Sequence, residues 1–80
     1  MDAGKTGAYL AALRKARGMT QQEAADQLGV SNKTVSKWEN GAGLPDITVL
    51  PALAELYGVT ADDILAGETL RGRPAEAQGP

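Results

Sequence analysis

The chain has 80 residues, a net charge of −2, and neither cysteine nor histidine. This length predicts one domain with a modest core, while the missing residue types exclude a disulfide framework, thiol chemistry and the commonest acid–base catalyst. No apolar run approaches the ~18 residues of a membrane helix, and the N-terminus lacks a signal-peptide pattern, so we expect a cytoplasmic protein that does not enter a membrane.

Charged residues are unevenly distributed along the chain. Residues 1–41 contain six basic and four acidic residues, whereas residues 42–70 contain five acidic residues and no basic one. The last ten residues add Arg71, Arg73 and Glu76. A weakly basic half followed by an acidic half suits a protein that presents one face to phosphate groups. The small number of cations predicts a modest and strongly salt-dependent affinity for such a partner.

Five helices and no strand are predicted. The first covers residues 6–17, where Leu10, Leu13 and Arg17 share one face, and it ends before a glycine, as helices commonly do. Residues 1–4 precede this pattern and are expected to fray.

The second and third helices are short and close together in sequence. Thr20 and Glu23 have the spacing of a capping box, which starts the second helix, and Gly29 ends it. Ser31 caps the third helix, which covers about residues 31–40 and stops before Gly41. The expected buried residues of this pair are Ala24, Ala25, Leu28, Val35 and Trp38.

Two more helices follow a loop. The fourth is predicted at residues 48–57, with Pro51 in its first turn, because proline is tolerated there and not in a helix interior. Thr60 caps a short fifth helix that ends at Gly67. Residues 68–80 lack apolar periodicity, so they are assigned to a flexible C-terminal tail after a domain of residues 1–67. The expected core residues of this half are Leu44, Leu50, Leu53, Ala54, Tyr57, Ile64 and Leu65.

The second and third helices together have the pattern of a helix-turn-helix. The third helix hides Val35 and Trp38 and presents polar side chains on its other faces. That arrangement lays a polar helix into the major groove of DNA. The outward residues are Asn32, Lys33, Thr34, Ser36 and Lys37.

Three blocks of sequence carry a resemblance to a known family. TQQEAADQLGVSNKTVSKWENG lies between LAALRKARG and LPDITVLPALAELYGVTADDILAG. Residues 6–67 resemble the lambda-repressor-like class of DNA-binding domains, which includes the XRE proteins and the phage repressors and Cro. The resemblance implies an all-α, compact five-helix bundle and a transcriptional regulator, such as a repressor, that binds double-stranded DNA as a homodimer. The residues themselves suggest no cofactor, no metal and no small-molecule ligand.

The resemblance also implies roles for individual residues. Asn32, Lys33 and Lys37 occupy its base-reading positions. Arg14 and Glu39 occupy the positions of an ion pair that joins the first helix to the third. The residues that it places on phosphates are Gln21, Ser31, Thr34 and Asn40.

Alternatives remain for several of these residues. Trp38 could stack on a base, although its spacing from Val35 favours the core. Lys33 and Lys37 could be an ordinary solvated stripe. Leu56 and Tyr57 could belong to the core or to a dimer surface, and the region of the fifth helix is expected to contribute to that surface. Asp62 and Asp63 lie at a helix start, which favours acidic side chains without any metal.

The sequence also bears on two alternative functions, a protein-interaction module and an enzyme. A protein-interaction module of the same fold, antitoxin-like or coactivator-like, is favoured by the pI of about 4.9. An enzyme is disfavoured, because the chain lacks a catalytic histidine or cysteine, a phosphate-binding glycine loop after a strand, and a convincing pair of carboxylates.

Overall fold

Five helices succeed one another in the computed structural model, which describes residues 2–70. No strand occurs in this part of the chain, so the all-α, five-helix prediction is confirmed. Residues 71–80, the larger part of the predicted tail, lie outside the described residues. The helices are α1 (Ala3–Ala16), α2 (Gln21–Leu28), α3 (Asn32–Glu39), α4 (Leu50–Tyr57) and α5 (Ala61–Ala66).

Three helices begin at the hydroxyl caps that the sequence predicts. The side chain of Thr20 accepts a hydrogen bond from the backbone N–H of Glu23, and the Glu23 carboxylate accepts one from the backbone of Thr20. Thr60 and Asp63 repeat this capping box at the start of α5, and Ser31 caps α3. These bonds are local in sequence, which is why the pattern of residues was sufficient to place them.

The starts of α1 and α4 differ from the prediction. α1 begins at Ala3 rather than at residue 6, because an Asp2 carboxylate oxygen accepts the backbone N–H of Lys5 at 3.0 Å. The expectation of fraying was therefore wrong for the first turn of α1. α4 begins at Leu50 rather than at residue 48, since Asp46 accepts the backbone N–H of Thr48 in a separate turn.

The core lies where the five helices meet. Two core predictions were wrong: Leu44 and Leu65 are exposed at 42% and 36%. Pro45 is buried in the loop instead of Leu44, and in the six-residue α5 the adjacent Ile64 faces the core in place of Leu65. The buried apolar side chains are Leu10, Ala24, Ala25, Val35, Trp38, Leu50, Leu53, Tyr57 and Ile64.

α1 packs against α3 and α5 through small residues. A β-carbon at Gly7 would collide with the carbonyl oxygen of Trp38, so only glycine permits this approach of α1 to α3. The hydroxyl of Thr6, also buried, donates to the carbonyl oxygen of Ile64 at 2.9 Å. α1 is therefore the element that holds α3 and α5 in one unit.

Residues 68–70, which the sequence assigned to the tail, contact the helices. Glu68 Oε2 lies 3.6 Å from Lys5 Nζ, and the hydroxyl oxygens of Thr69 and Tyr9 are 2.9 Å apart. The backbone N–H of Leu70 donates to Asp63 at 2.9 Å. No helix within residues 2–70 is both long enough and apolar enough to span a bilayer.

Candidate nucleic-acid interface

The turn between α2 and α3 sets the position of α3. Gly29 has φ +72°, a backbone region that L side chains rarely adopt, and its N–H donates to the carbonyl oxygen of Ala25. The N–H of Val30 donates to the same carbonyl oxygen at 3.0 Å. Ala25 is fully buried, and its small side chain belongs to the core that α2 and α3 share. The close turn and the small contact residue together direct the outer face of α3 away from the core.

That outer face carries two parallel rows of polar side chains. Asn32, Ser36 and Asn40 follow one another at four-residue spacing, and Lys33 and Lys37 form the neighbouring row. Asn32 and both lysines are exposed, and within residues 2–70 their side chains make no hydrogen bond or ion pair. This outer face therefore presents amide, hydroxyl and ammonium groups side by side, and neither lysine ammonium group has a partner within residues 2–70.

The N-terminal turn of α3 carries two paired hydroxyls. Ser31 Oγ accepts the backbone N–H of Thr34 at 3.1 Å and lies 2.9 Å from Thr34 Oγ1. Only one of the two hydroxyl hydrogens can lie between these oxygens, so the other remains available to an external acceptor. At the other end of the helix, Asn40 Nδ2 donates to Ser36 Oγ at 3.3 Å.

Arg14 and Glu39 join α1 to α3 behind this face. Arg14 Nε donates to Glu39 Oε2 at 2.8 Å and a terminal guanidinium nitrogen donates to Oε1 at 3.0 Å, a bidentate arrangement. The side chains are only 11% and 5% exposed. Arg14 also donates to the carbonyl oxygen of Met19 at 2.7 Å, just before α2. The pair therefore links α1, the α1–α2 connection and α3.

Gln21 belongs to the same network. Its amide nitrogen donates to Glu39 Oε1 at 3.0 Å, so the first residue of α2 is bonded to the last residue of α3. No pattern in the sequence predicts this bond. Its only sequence signal is the placement of a glutamine at the first position of α2, which does not identify a partner 18 residues away.

The network perturbs the pKa of each charged partner. Burial raises the pKa of Glu39, but the hydrogen bonds from Arg14 and Gln21 and the neighbouring positive charges outweigh it, so the net pKa lies below the ordinary value. The hydrogen bond to Glu39 raises the pKa of Arg14. Burial, followed by the Glu39 charge, raises the pKa of the Tyr57 phenol. Glu39 is therefore ionised at neutral pH and holds both donors in place.

The structure decides several of the roles that the sequence left open for individual residues. Trp38 is 7% exposed and Tyr57 is 5% exposed, so both are core residues. Leu56 is half-buried. Asp63 is a capping residue, and among residues 2–70 no group of three or more potential metal ligands lies together. Ser36 is the one residue of the outer face that received no role, although its spacing from Asn32 and Asn40 was visible in the sequence.

The sequence profile of the helix-turn-helix family matches residues 10–64 of this chain. That range contains α2, α3 and α4 completely, the second half of α1 and most of α5. The match therefore covers the turn, the outer face of α3 and the Arg14–Glu39 pair.

Curated relatives with similar sequences are named as regulators. The HTH-type transcriptional activator BcrR of Enterococcus faecalis is 41% identical over 58 residues, which are 72% of this chain and 28% of that protein. The uncharacterized HTH-type transcriptional regulator YazB of Bacillus subtilis is 31% identical over 68 residues, 85% of this chain and 99% of that one. The cryptic phage CTXphi transcriptional repressor RstR of Vibrio cholerae is 36% identical over 55 residues, 69% of this chain and 49% of that one.

The extent of these matches differs among the relatives. The chain spans 28% of the length of BcrR, and 56%, 51% and 46% of the lengths of three Bacillus subtilis regulators. Among solved structures, the crystal structure of the clp gene regulator ClgR from Corynebacterium glutamicum is similar, with a TM-score of 0.74 at 25% identity. That similarity covers 84% of this chain and 71% of the ClgR chain.

Proposed function

This chain belongs to the helix-turn-helix family of transcriptional regulator domains, and on that basis we propose that it binds double-stranded DNA sequence-specifically and regulates transcription. The family is a class of DNA-binding domains and not of enzymes. In the proposed complex, α3 enters the major groove and α2 crosses the phosphate backbone. Because its proposed partner is DNA, we also propose a cytoplasmic location.

The observation that carries the proposal is the pair of polar rows on α3. Asn32, Lys33 and Lys37 have no partner within the described part of the chain, and they project from a helix whose opposite side is fixed in the core. An asparagine amide matches the N6 and N7 edge of adenine, and a lysine ammonium can donate to O6 and N7 of guanine. We assign base contacts to these three residues, with the two lysines favouring guanine.

Gln21 supports a phosphate contact through the second hydrogen of its amide. One N–H of that amide donates to Glu39, which fixes the direction of the group. The other N–H remains for an acceptor outside the protein, and a phosphate oxygen is the acceptor that the N-terminus of a helix favours. Ser31 and Thr34 supply a hydroxyl hydrogen at the start of α3, and Asn40 lies at its other end.

A homodimer is part of the proposal. Two copies related by a two-fold axis would place their α3 helices in successive major grooves about one helical turn, ~34 Å, apart. The operator would then consist of two inverted half-sites. We expect α5 and the exposed part of Leu56 to contribute to the dimer surface, and sedimentation of a monomer at high protein concentration would contradict this part.

The test is selection of binding sites from random duplex DNA, followed by titration of the selected site against salt. We expect a palindromic consensus whose affinity falls steeply as salt is raised, since lysine contacts to DNA displace condensed counterions. If no sequence is enriched, the proposal is wrong.

Two substitutions separate base contacts from phosphate contacts. Lys33→Ala should relax the preference at one base position at a cost of about 1–3 kcal/mol, whereas Gln21→Ala should weaken all sequences alike. Equal losses that do not depend on sequence would refute the assigned roles.

A second candidate function is a protein-interaction module. Ile47 is 76% exposed and Leu44 is 42% exposed in the loop before α4, within the part of the chain that has no basic residue. Exposed apolar side chains in a loop favour a protein partner over DNA at that surface. Absence of DNA enrichment, together with stoichiometric binding to a protein that Ile47→Asp abolishes, would favour this second function.

A further inference from the structure

Lys15 lies in the last turn of α1 and has no role in the interface described so far. It is exposed, and within residues 2–70 its side chain makes no hydrogen bond or ion pair. Two other basic residues of α1 do have partners, since Lys5 pairs with Glu68 and Arg14 pairs with Glu39. The Lys15 ammonium group is therefore a positive charge that the described part of the fold does not use.

The position of Lys15 on α1 places it beside the end of α3. Gly7 lies against the backbone of α3 and Arg14 is bonded to Glu39, so these two residues mark the side of α1 that faces α3. At about 100° per residue, Lys15 lies roughly 90° around α1 from that side, and the buried Leu10 lies in the opposite sense. The Lys15 side chain therefore leaves α1 next to α3, on the solvent side and not toward the core.

Lys15 and Gln21 are both neighbours of the Glu39 carboxylate. Gln21 donates to Glu39 Oε1 at 3.0 Å. Burial raises the pKa of Glu39, whereas the hydrogen bonds from Arg14 and Gln21 lower it. The positive charge of Lys15 lowers this pKa as well, although the ammonium group makes no bond to the carboxylate. The end of α1 and the start of α2 thus bring an ammonium group and an amide to the same carboxylate.

The Glu39 carboxylate does not need Lys15 as a further ligand. It already accepts two hydrogen bonds from Arg14 and one from Gln21, and its side chain is only 5% exposed. Arg14 also balances its charge, so the charge of Lys15 is in excess. The second N–H of the Gln21 amide has no acceptor within residues 2–70. An anion outside the protein can satisfy the free ammonium group and this free N–H together.

A DNA phosphate has the chemistry that these two donors require. Phosphate oxygens accept hydrogen bonds from lysine and from side-chain amides, and lysine binds them as a point charge on a flexible stem. Glu39 fixes the amide of Gln21, which sets the direction of the contact, while the flexible side chain of Lys15 adjusts to the phosphate. Both groups lie outside α3, so the base contacts assigned to α3 are not affected.

We propose that Lys15 and Gln21 together bind one backbone phosphate in each half-site, which extends the DNA interface from α2 and α3 onto the end of α1. The inference rests on the proposed DNA-binding function. It adds a contact that contributes equally to affinity for every DNA sequence, because a phosphate carries no sequence information.

The experiment uses the full chain and duplexes that contain the selected operator core. In each duplex one phosphate is replaced by an uncharged methylphosphonate, and the replaced position is moved along both strands. The proteins compared are the wild type, Lys15→Ala, Lys15→Arg, Gln21→Ala and the control Arg17→Ala.

Arg17 is a matched control for Lys15. It carries the same charge at the C-terminal end of the same helix and is exposed. At about 100° per residue it lies roughly 160° around the helix from Lys15. A β-carbon on Gly58 would lie 2.8 Å from a terminal nitrogen of the Arg17 guanidinium, so this side chain rests at the end of α4. Arg17→Ala therefore removes a charge from the domain without removing the proposed contact.

We expect one methylphosphonate position in each half-site to weaken binding by the wild type and by Arg17→Ala, and to weaken Lys15→Ala and Gln21→Ala much less. On unmodified DNA, Lys15→Ala should bind the core and a scrambled core roughly two- to fivefold more weakly per half-site, as for one exposed ion pair. Its salt slope should fall by about 0.9 per protomer. Lys15→Arg and Arg17→Ala should keep the wild-type slope.

Thermal unfolding followed by Trp38 fluorescence separates a DNA contact from a structural role. Lys15→Ala changes an exposed side chain that has no partner within residues 2–70, so its unfolding temperature should stay within about 4 °C of the wild type. A fall as large as that of Glu39→Ala would mean that Lys15 acts through the ion pair, and would overturn the proposal.

Three binding outcomes would also overturn it. Lys15→Ala could keep the wild-type sensitivity at every methylphosphonate position, Lys15 and Gln21 could map to different phosphates, or Arg17→Ala could lower the salt slope as much as Lys15→Ala. In each of these cases the preference for the core over a scrambled core persists, so the proposed function survives. Failure of the wild type to prefer the core would instead refute the proposed function itself.

Discussion

The clearest quantitative prediction concerns the pair of Arg14 and Glu39. Glu39→Ala removes two charge-assisted hydrogen bonds from Arg14 and one bond from Gln21. The guanidinium would keep only its bond to the carbonyl oxygen of Met19, in a site where the side chain is 11% exposed. Removing one partner of a buried pair costs about 3–5 kcal/mol, against ~0–1 kcal/mol for a surface pair. We take about 3 kcal/mol, because part of the guanidinium can regain water.

Such a loss is large for a chain of this size. Since 1 kcal/mol shifts the unfolding temperature of a 60–100-residue domain by about 4–8 °C, Glu39→Ala should lower it by roughly 12–24 °C. Trp38 is the only tryptophan, is buried and is adjacent in sequence to Glu39, so its fluorescence reports the transition directly. Urea titration with the same signal gives the free energy of unfolding.

Two controls make the prediction refutable. Lys5 Nζ and Glu68 Oε2 form an exposed pair 3.6 Å apart, with side chains 52% and 58% exposed, so Glu68→Ala should lower the unfolding temperature by no more than about 8 °C. In a double-mutant cycle, Arg14→Ala with Glu39→Ala should cost at least about 1 kcal/mol less than the sum of the single changes, because the second change removes the charge that the first left unpaired. Additive costs, or equal effects of Glu39→Ala and Glu68→Ala, would refute a buried, coupled pair.

Three further predictions concern packing and pH. Gly7→Ala should destabilise the fold by about 1–3 kcal/mol, because the added methyl group collides with backbone atoms. Gly4→Ala is the control: its methyl group meets no backbone atom, so it should be neutral or stabilising by up to ~1 kcal/mol. Urea unfolding compares the two free energies. Ala25→Leu should push α2 away from α3, lower the free energy of unfolding by about 1–3 kcal/mol and weaken DNA binding. Ala52→Leu, on the exposed side of α4, should change the free energy of unfolding by no more than ~0.5 kcal/mol. Equal effects of the two substitutions would refute the packing argument. The pKa of Glu39 is lower in the folded state, so its stabilisation is present above the ordinary value of 4.5 and is lost as the pH falls through the folded value. The wild-type unfolding temperature should therefore fall more steeply below pH 4.5 than that of Glu39→Gln, and parallel curves would contradict this.

The network around Glu39 has a consequence for how the proposed interface works. Gln21 begins α2 and Glu39 ends α3, so their hydrogen bond spans the helix-turn-helix at its open side, opposite the turn at Gly29. Arg14 holds the same carboxylate from α1. The angle between α2 and α3 is thus fixed at both ends. A phosphate contact by Gln21 and base contacts by α3 would therefore be made by one preorganised unit, which reduces the ordering cost of binding.

Much of the fold followed from short-range patterns. The capping boxes at Thr20 and Thr60 each depend on residues three positions apart, so the sequence contains both partners of each bond. Val35 and Trp38 were placed in the core by helical spacing alone. The same spacing predicts the outer face of α3, because the residues opposite the buried Val35 and Trp38 must face outward. The base-contacting roles of Asn32, Lys33 and Lys37 stay predictions.

The sequence by itself determined that five helices form and, apart from Leu65 in α5, which side of each helix is buried, since hydrogen bonds within one turn and apolar spacing decide both. It misplaced the first residues of α1 and α4. Tertiary structure alone decided the rest: that Pro45 and not Leu44 is buried, that Gly7 lies against the backbone of α3, and that Gln21 is bonded to Glu39. Each of these depends on how two distant segments approach one another. That distance is set by the packing of the whole core, which no local pattern of residues contains.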